Sequence, residues 1–334
     1  MRVDWNAFVD QVQKHQSFLL VSHIRPDCDA LGSELGMKRV LEKAGKTVRI
    51  VNAHPTPPNL AFIDPDGQLE HLGTHVQADQ LTADGAVDCI LILDTSAWAQ
   101  IGDMRAVIEA SSADKMVLDH HVGQDELGAT LHKDTTAEAT GHLVVKAADA
   151  LGVELDAEMA MPLYAAIATD TGWFRFGSVT PETYRVIARL VEAGADPPSI
   201  YGDLYERDTL GRLKLRGLIL SRTQSEVDGK LMHTFVNVDD FDSTGAIASD
   251  TEDAINLTMT VAGTLGAVIF VGLRTGGYKL SFRSRCDMDC NELARRFGGG
   301  GHKAAAGAFI DSDLETAQSQ VLPVVIEAMR TAVA

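Results

Sequence analysis

Short apolar runs alternate with helical spacing through the first half of the chain. Phe18-Leu19-Leu20-Val21 reads as a buried strand, Ala30 to Ala44 as a helix stopped by Gly45, and Thr47 to Val51 as the next strand. Cys89 to Leu93 and Met116 to Leu118 are further strand candidates. This alternation predicts an α/β fold, a parallel Rossmann-like sheet with helices on both faces. From about Ala137 to Leu220 the pattern is mainly helical. Thr180-Pro181-Glu182 marks a helix start there, because Thr can cap and Pro suits the first turn. Past Val227-Asp228-Gly229 strands return at Met232 to Val238, Ala267 to Leu273 and Tyr278 to Arg283, with helices near Asn291 to Phe297 and Glu315 to Thr331. A second, smaller α/β domain is expected. The predicted division is 1–207, a helical linker over 208–228, and 229–334.

A chain of 334 residues is long enough for two cores. Its net charge of −18 opposes binding to long duplex nucleic acid, which relies on cationic neutralisation of phosphates, but allows a short or small phosphate compound. With no 18-residue apolar run and no basic, apolar leader, no membrane association is expected and the setting expected is cytoplasmic. Cys28, Cys89, Cys286 and Cys290 are too scattered for a disulfide framework and read as free thiols. Cys286 and Cys290 have ligand-like spacing, yet no second Cys or His pair stands near them to complete a zinc tetrahedron.

The chemistry gathers where the strand candidates end. Ser22-His23-Ile24-Arg25-Pro26-Asp27-Cys28-Asp29 places one imidazole and two carboxylates directly after the first strand. Taken alone it could be a polar loop with Asp29 as an N-cap. The placement recurs, however: Cys89 to Leu93 runs into Asp94-Thr95-Ser96, and Met116 to Leu118 into Asp119-His120-His121. In an open parallel sheet the carboxyl ends of the strands share one edge, where ligands bind. Asp170 closes the helical run Met159 to Ile167, either as a helix-end cap or as a buried carboxylate needing a cation. Oxygen-rich ligands with few imidazoles and no thiolate favour Mn²⁺ or Mg²⁺ over zinc. Two such ions about 4 Å apart suit phosphate-ester hydrolysis. Trp173, Phe174 and Phe176 follow closely and read either as packed core or as a surface on which a base stacks.

The second half offers cations. Ser281-Phe282-Arg283-Ser284-Arg285 ends a strand with two guanidiniums beside a hydroxyl, suited to phosphate. Gly298-Gly299-Gly300-Gly301-His302-Lys303 reads either as a flexible loop or as a backbone whose free N–H groups approach an anion closely.

These residues, in this order, resemble the DHH phosphoesterase superfamily, named for the sequence standing here as Asp119-His120-His121. His23, Asp27 and Asp29 look like its first motif, Asp94 its second, Asp119 to His121 its third and Asp170 its fourth. Phe282 to Arg285 and Gly298 to His302 look like its DHH-associated C-terminal domain. The resemblance implies a catalytic metal-binding domain followed by a substrate-binding one. One metal would be held by His23, Asp27 and Asp94, the other by Asp29, Asp94, His120 and Asp170, with two Mn²⁺ as cofactor and Mg²⁺ as the alternative. His121 would contact the phosphate or a ligand, and Asp119 would orient its neighbours, so that Asp94, Asp119, His120 and His121 form the catalytic group. Arg283, Ser284, Arg285, Gly299, Gly300, Gly301 and His302 would hold the substrate.

The compact two-domain length is similar to the branch acting on nano-RNA and 3′-phosphoadenosine 5′-phosphate. That implies hydrolysis of very short single-stranded RNA or DNA oligonucleotides to mononucleotides, together with removal of a 3′-phosphate, and a homodimer is compatible with it. The alternatives are a phosphodiesterase for cyclic dinucleotides or linear dinucleotides, a pyrophosphatase, and a nucleotide-sensing module without catalysis. Two departures stand out: Cys28 where a small residue such as Gly is common, and Gln124-Asp125 where an Asn is often found.

Overall fold

The computed structural model describes residues 2–83, 85, 87–251 and 254–333. The outer ends of the expected domains, Met1 and Ala334, lie outside them. The chain divides into two compact units, Met1–Glu206 and Arg207–Ala334.

The first unit is built on six parallel strands, β1 (Ser17–Val21), β2 (Thr47–Asn52), β3 (Leu69–His71), β4 (Cys89–Leu93), β5 (Asp114–Asp119) and β6 (Thr130–Lys133), in the order β3-β2-β1-β4-β5-β6. The strand period of two sends alternate residues to opposite faces. Phe18, Leu20, Leu91, Leu93, Met116 and Leu118 join one core, and Leu19, Val21, Ile90, Ile92 and Val117 join the other. The first face is covered from α1 (Trp5–Lys14) and α2 (Cys28–Lys43). The second carries three short helices, α3 (Ala78–Thr82), α4 (Trp98–Ile101) and α5 (Met104–Ala110). Four more helices return to the first face: α6 (Thr140–Leu151), α7 (Ala157–Asp170), α8 (Pro181–Glu192) and α9 (Pro197–Tyr205). The expected fold class is therefore the observed one. Thr180 caps α8 as its sequence implied, accepting from the Thr183 N–H. Chain order reverses direction between β1 and β4, which pair directly, so the crevice of this doubly wound sheet opens where those two strands end.

Glycine sets how closely α2 lies on α7. A Cβ on Gly32 would come within 2.3 Å of the Pro162 carbonyl oxygen, and one on Gly36 within 2.5 Å of the Leu163 side chain. These two glycines stand one turn apart on one face of α2. Their closeness brings the start of α2, with Asp29, to the end of α7, with Asp170.

The second unit has its own mixed sheet. Its elements are α10 (Leu210–Ser221), β7 (Gln224–Glu226), β8 (Leu231–Val236), α11 (Val238–Thr244), α12 (Ala254–Thr258), β9 (Gly266–Gly272), β10 (Tyr278–Ser284), α13 (Cys290–Arg295), β11 (Gly300–Gly301), β12 (Ala305–Ile310) and α14 (Leu314–Val333). The order is β11-β12-β10-β9-β8-β7, antiparallel except for the pair β8 and β9. α13 and α14 cover one face, while α10 to α12 pack on the other through Leu215, Ile219, Phe241 and Ile255. The segment 208–228, read from sequence as a linker, thus contributes a helix to this core. The strand expected to reach Val238 stops at Val236, because Asn237 caps α11 in a reciprocal box with Asp240. Among the described residues, no helix is long and apolar enough to cross a membrane.

Two glycines give opposite expectations on substitution. In an exposed helix interior Ala is about 1 kcal/mol better than Gly, but at Gly32 the added methyl meets backbone, and overpacking of about 1–3 kcal/mol prevails. Gly32→Ala is expected to lower the urea midpoint. Gly217, exposed in α10 with nothing within 4 Å of its missing Cβ, should show the reverse, Gly217→Ala gaining about 0.5–1 kcal/mol.

Candidate active site

The carboxyl ends of β1, β4 and β5 gather the residues that their sequence positions singled out. Asp94 follows β4 with its backbone in the left-handed region, φ 62°, a conformation that Asp and Asn tolerate better than most residues. Its two carboxylate oxygens face different imidazoles. Oδ2 lies 3.4 Å from His23 Nε2, and Oδ1 lies 3.5 Å from His120 Nε2.

Besides the group of Asp94, His120 and His121, two clusters form around that carboxylate. His23 Nε2 is 3.8 Å from Asp27 Oδ1, so His23, Asp27 and Asp94 make one group. His120 Nε2 is 3.8 Å from Asp29 Oδ2 and 3.6 Å from Asp170 Oδ2, so Asp29, His120 and Asp170 make another. These separations exceed those of a hydrogen bond. They lie near the spacing of two ligands on one ion, since bonds of about 2.1 Å leave adjacent ligand atoms about 3.0 Å apart at an octahedral angle and about 3.4 Å apart at a tetrahedral one. Both imidazoles are set for that role. Nδ1 of His23 meets the Ile24 carbonyl at 2.9 Å, and Nδ1 of His120 meets that of Ala137 at 3.2 Å, which leaves each Nε2 turned to the carboxylates. The donor set therefore fits two divalent cations.

Neutral donors hold the carboxylates in place. Asp27, rather than Asp29, is the N-cap of α2, its Oδ1 accepting from the Asp29 and Ala30 N–H groups. Asp29, in the first turn of α2, is buried against the start of α6 and accepts from the N–H groups of Thr140, at 2.8 Å, and Gly141, at 2.9 Å. The Thr140 hydroxyl donates to Asp94 Oδ1 at 2.9 Å. Burial, then the charges of Asp94, Asp170 and Asp27, push the Asp29 carboxyl well above its ordinary range. Burial likewise pushes Asp170 up to about 6, with Asp94 and Asp27 adding to the rise and His120 opposing it. Burial lowers His23, but the Asp27 and Asp94 carboxylates outweigh it and raise the imidazole to about 11.

Sequence reasoning missed Thr140 and Gly141, whose signal is a small polar start to the apolar run Leu143-Val144-Val145. It also missed Glu34 and Asn52. Asn52 donates to Glu34 at 2.7 Å and accepts from the Ser22 N–H and hydroxyl, fixing the chain just before His23. Burial pushes the Glu34 carboxyl up to about 8. The last two residues of the expected catalytic group lie beside the clusters. His121 Nδ1 stands 2.9 Å from Asp119 Oδ1 and 3.7 Å from Asp94 Oδ1, and its side chain is 55% exposed. Trp173 and Phe174 pack with Tyr164, Tyr201, Tyr205 and Tyr184, whereas Phe176 is 54% exposed and its ring lies over Gly172.

In the second unit the expected substrate residues separate. Arg283 shares a face of β10 with Lys279 and Ser281, and these line a groove with Thr251 and Ile255. Arg285 is exposed and donates to the Met259 carbonyl at 3.0 Å. Ser284 points to the opposite side. It is buried, and its hydroxyl donates to the Cys286 carbonyl and accepts the Cys286 N–H. The glycine run is not a loop of free donors: the N–H groups of Gly298, Gly299, Gly301 and His302 donate to Arg295 O, Ala294 O, Asn291 Oδ1 and Ala305 O. Gly300 and Gly301 form β11 against β12, and a Cβ on Gly299 would meet the Gly307 carbonyl at 2.1 Å. Close strand packing explains these glycines without any anion. His302 is exposed beside them.

Comparison with known proteins agrees with this arrangement. The model of the DHH family, N-terminal domain, matches residues 17–167, and that of the DHHA1 domain matches residues 229–333. The bifunctional oligoribonuclease and PAP phosphatase NrnA of Thermus thermophilus is 31% identical, covering 94% of this chain and 90% of that protein. The protein of the same name from Bacillus subtilis is 28% identical, covering 90% and 91%. The crystal structure of an exopolyphosphatase-related protein from Bacteroides fragilis is 25% identical, with a TM-score of 0.83 over 97% of this chain and 95% of that one. With the histidines and carboxylates of its strand ends brought together, and with matches of this extent along both units, the chain belongs to the DHH family and is a metal-dependent phosphoesterase.

Proposed function

We propose that this enzyme hydrolyses very short single-stranded RNA or DNA oligonucleotides to mononucleotides and removes the 3′-phosphate of 3′-phosphoadenosine 5′-phosphate, using two divalent cations. The observation that carries this reading is the Asp94 carboxylate, turned toward His23 with one oxygen and toward His120 with the other. His23, Asp27 and Asp94 would hold one ion, and Asp29, Asp94, His120 and Asp170 the other. Mn²⁺ is favoured, with Mg²⁺ as the alternative, because carboxylates outnumber imidazoles and no thiolate takes part. Bound there, the ions would polarise a phosphoryl oxygen and lower the pKa of water.

The chain's own residues supply the rest. His121, held by Asp119 through Nδ1 and half exposed, would donate to a phosphate oxygen through Nε2 when protonated, and the Asp119 carboxylate beside it raises its pKa. Phe176 offers an exposed ring on which a base can stack. In the second unit Arg283, Arg285 and His302 are the proposed substrate contacts, while Gly299, Gly300 and Gly301 shape the short strand that places His302. Ser284 would act through the fold of that segment, since its hydroxyl is engaged. The short substrate agrees with the net charge of −18, which disfavours a long polyanion, and with the names of the relatives from Thermus and Bacillus. Four unpaired cysteines accord with a cytoplasmic setting.

The test is a Mn²⁺ panel of dinucleotide, pentanucleotide, long RNA, 3′-phosphoadenosine 5′-phosphate, cyclic dinucleotide and pyrophosphate. Turnover of the dinucleotide, the pentanucleotide and the phosphoadenosine compound is expected, with the long RNA left intact. Faster cleavage of cyclic dinucleotide or pyrophosphate, or binding without cleavage, would refute the assignment.

Asp94→Asn keeps the left-handed backbone preference while removing the charge, so it should fold and lose at least about a hundredfold in kcat. Mn²⁺ at a hundredfold excess over Kd should stabilise the wild-type protein by about 2.7 kcal/mol for each of the two ions in thermal melts, and this gain should largely vanish in Asp94→Asn. Phe176→Ala should raise KM for the dinucleotide about tenfold with kcat little changed, the loss of one stacked base.

A further inference from the structure

Lys133 ends β6 in register with Asp119, the last residue of β5, and its side chain is 1% exposed. A buried ammonium carries three N–H donors, and all three must find acceptors. Lys133 Nζ has Asp119 Oδ2 at 2.9 Å, Ser96 Oγ at 2.6 Å and the Gly123 carbonyl at 2.7 Å. These acceptors come from the end of β5, from the turn two residues past Asp94, and from the loop that follows His121. The Ser96 hydroxyl, accepting from Lys133, lies 2.7 Å from Asp119 Oδ2 and 2.8 Å from the Gly123 carbonyl, so its proton stays within the same knot. Nothing in the proposed hydrolysis uses this lysine directly, and no substrate could reach it.

The other oxygen of Asp119 faces outward. Oδ1 accepts the His121 backbone N–H at 2.9 Å and stands 2.9 Å from the ring Nδ1. With the Lys133 ammonium and the Ser96 hydroxyl on Oδ2 and the His121 N–H on Oδ1, Asp119 is surrounded by donors and acts as an acceptor, so ring Nδ1 is the donor to it and Nε2 is the nitrogen left for a ligand.

We infer that Lys133 is a positioning residue: its buried ammonium locks Asp119, and through Asp119 it fixes the ring orientation in which His121 keeps Nδ1 on Asp119 and turns Nε2 to the phosphate of the substrate. This rests on the reading of the site as a phosphoesterase centre with His121 at the phosphate. It adds a residue that touches neither the substrate nor a cation.

The experiment has a part that needs no change at Lys133. Ring-nitrogen NMR of the wild-type protein, with the His121 signals assigned by their loss in His121→Gln, should show Nδ1 protonated. A bare Nδ1 overturns the inference. Lys133→Met should then lower kcat on the dinucleotide about 10- to 100-fold with KM within about threefold, leave Mn²⁺ affinity by calorimetry within about threefold, and abolish the Nδ1 signature. Should that variant fail to fold, Lys133→Gln, which removes the charge and leaves Asp119 unchanged, takes its place with the same expectations. A folded variant with wild-type kcat and an unchanged His121 spectrum overturns the inference. The wild-type substrate panel decides the functional reading separately, because the ring-nitrogen signature is read without substrate.

Discussion

Four carboxylates, Asp27, Asp29, Asp94 and Asp170, are packed around two imidazoles, and the first unit is organised to withstand their mutual repulsion. Burial first, and then like charges this close, raise the proton affinity of Asp29 and Asp170. The groups that hold them are mostly uncharged: the first N–H groups of α6 on Asp29, a threonine hydroxyl on Asp94, and the N-terminal N–H groups of α2 on Asp27. Such donors fix a carboxylate without neutralising it. The charge is thereby kept available for a cation, whose arrival inverts the local electrostatics.

The sheet makes this gathering inevitable once its order is known. Parallel strands deliver their carboxyl ends to one edge, and the reversal between β1 and β4 opens a crevice where His23 and Asp94 emerge. That much was legible in the sequence, because three of the apolar runs led into a carboxylate or an imidazole, His23, Asp94 and Asp119. The supporting residues were not legible. β6 is four residues long and closes on a lysine, so no periodicity announced it. Thr140 and Gly141 matter through backbone donors, which every residue but proline possesses, and only the packing of α6 aims them at Asp29.

The second unit shows the opposite error. A run of glycines suggested an anion cradle, because glycine leaves its N–H exposed and approachable. The structure spends those N–H groups on α13 and β12, and the glycines answer a steric demand between adjoining strands. Ser284 misled for a related reason: strand alternation sends it to the side away from Arg283. Residue type alone could not separate a donor offered to solvent from one consumed by the fold.

The seam of α2 on α7 is made by Gly32 and Gly36 against Pro162 and Leu163, contacts that carry no charge. Salt screens Coulombic forces and leaves close-packed surfaces nearly untouched. Ionic strength and acidity can therefore act on the ion pairs of Arg39 and Lys43 with Asp156 and Glu158 at the other end of this seam, while the spacing of Asp29 from Asp170 is gauged by the uncharged contact between.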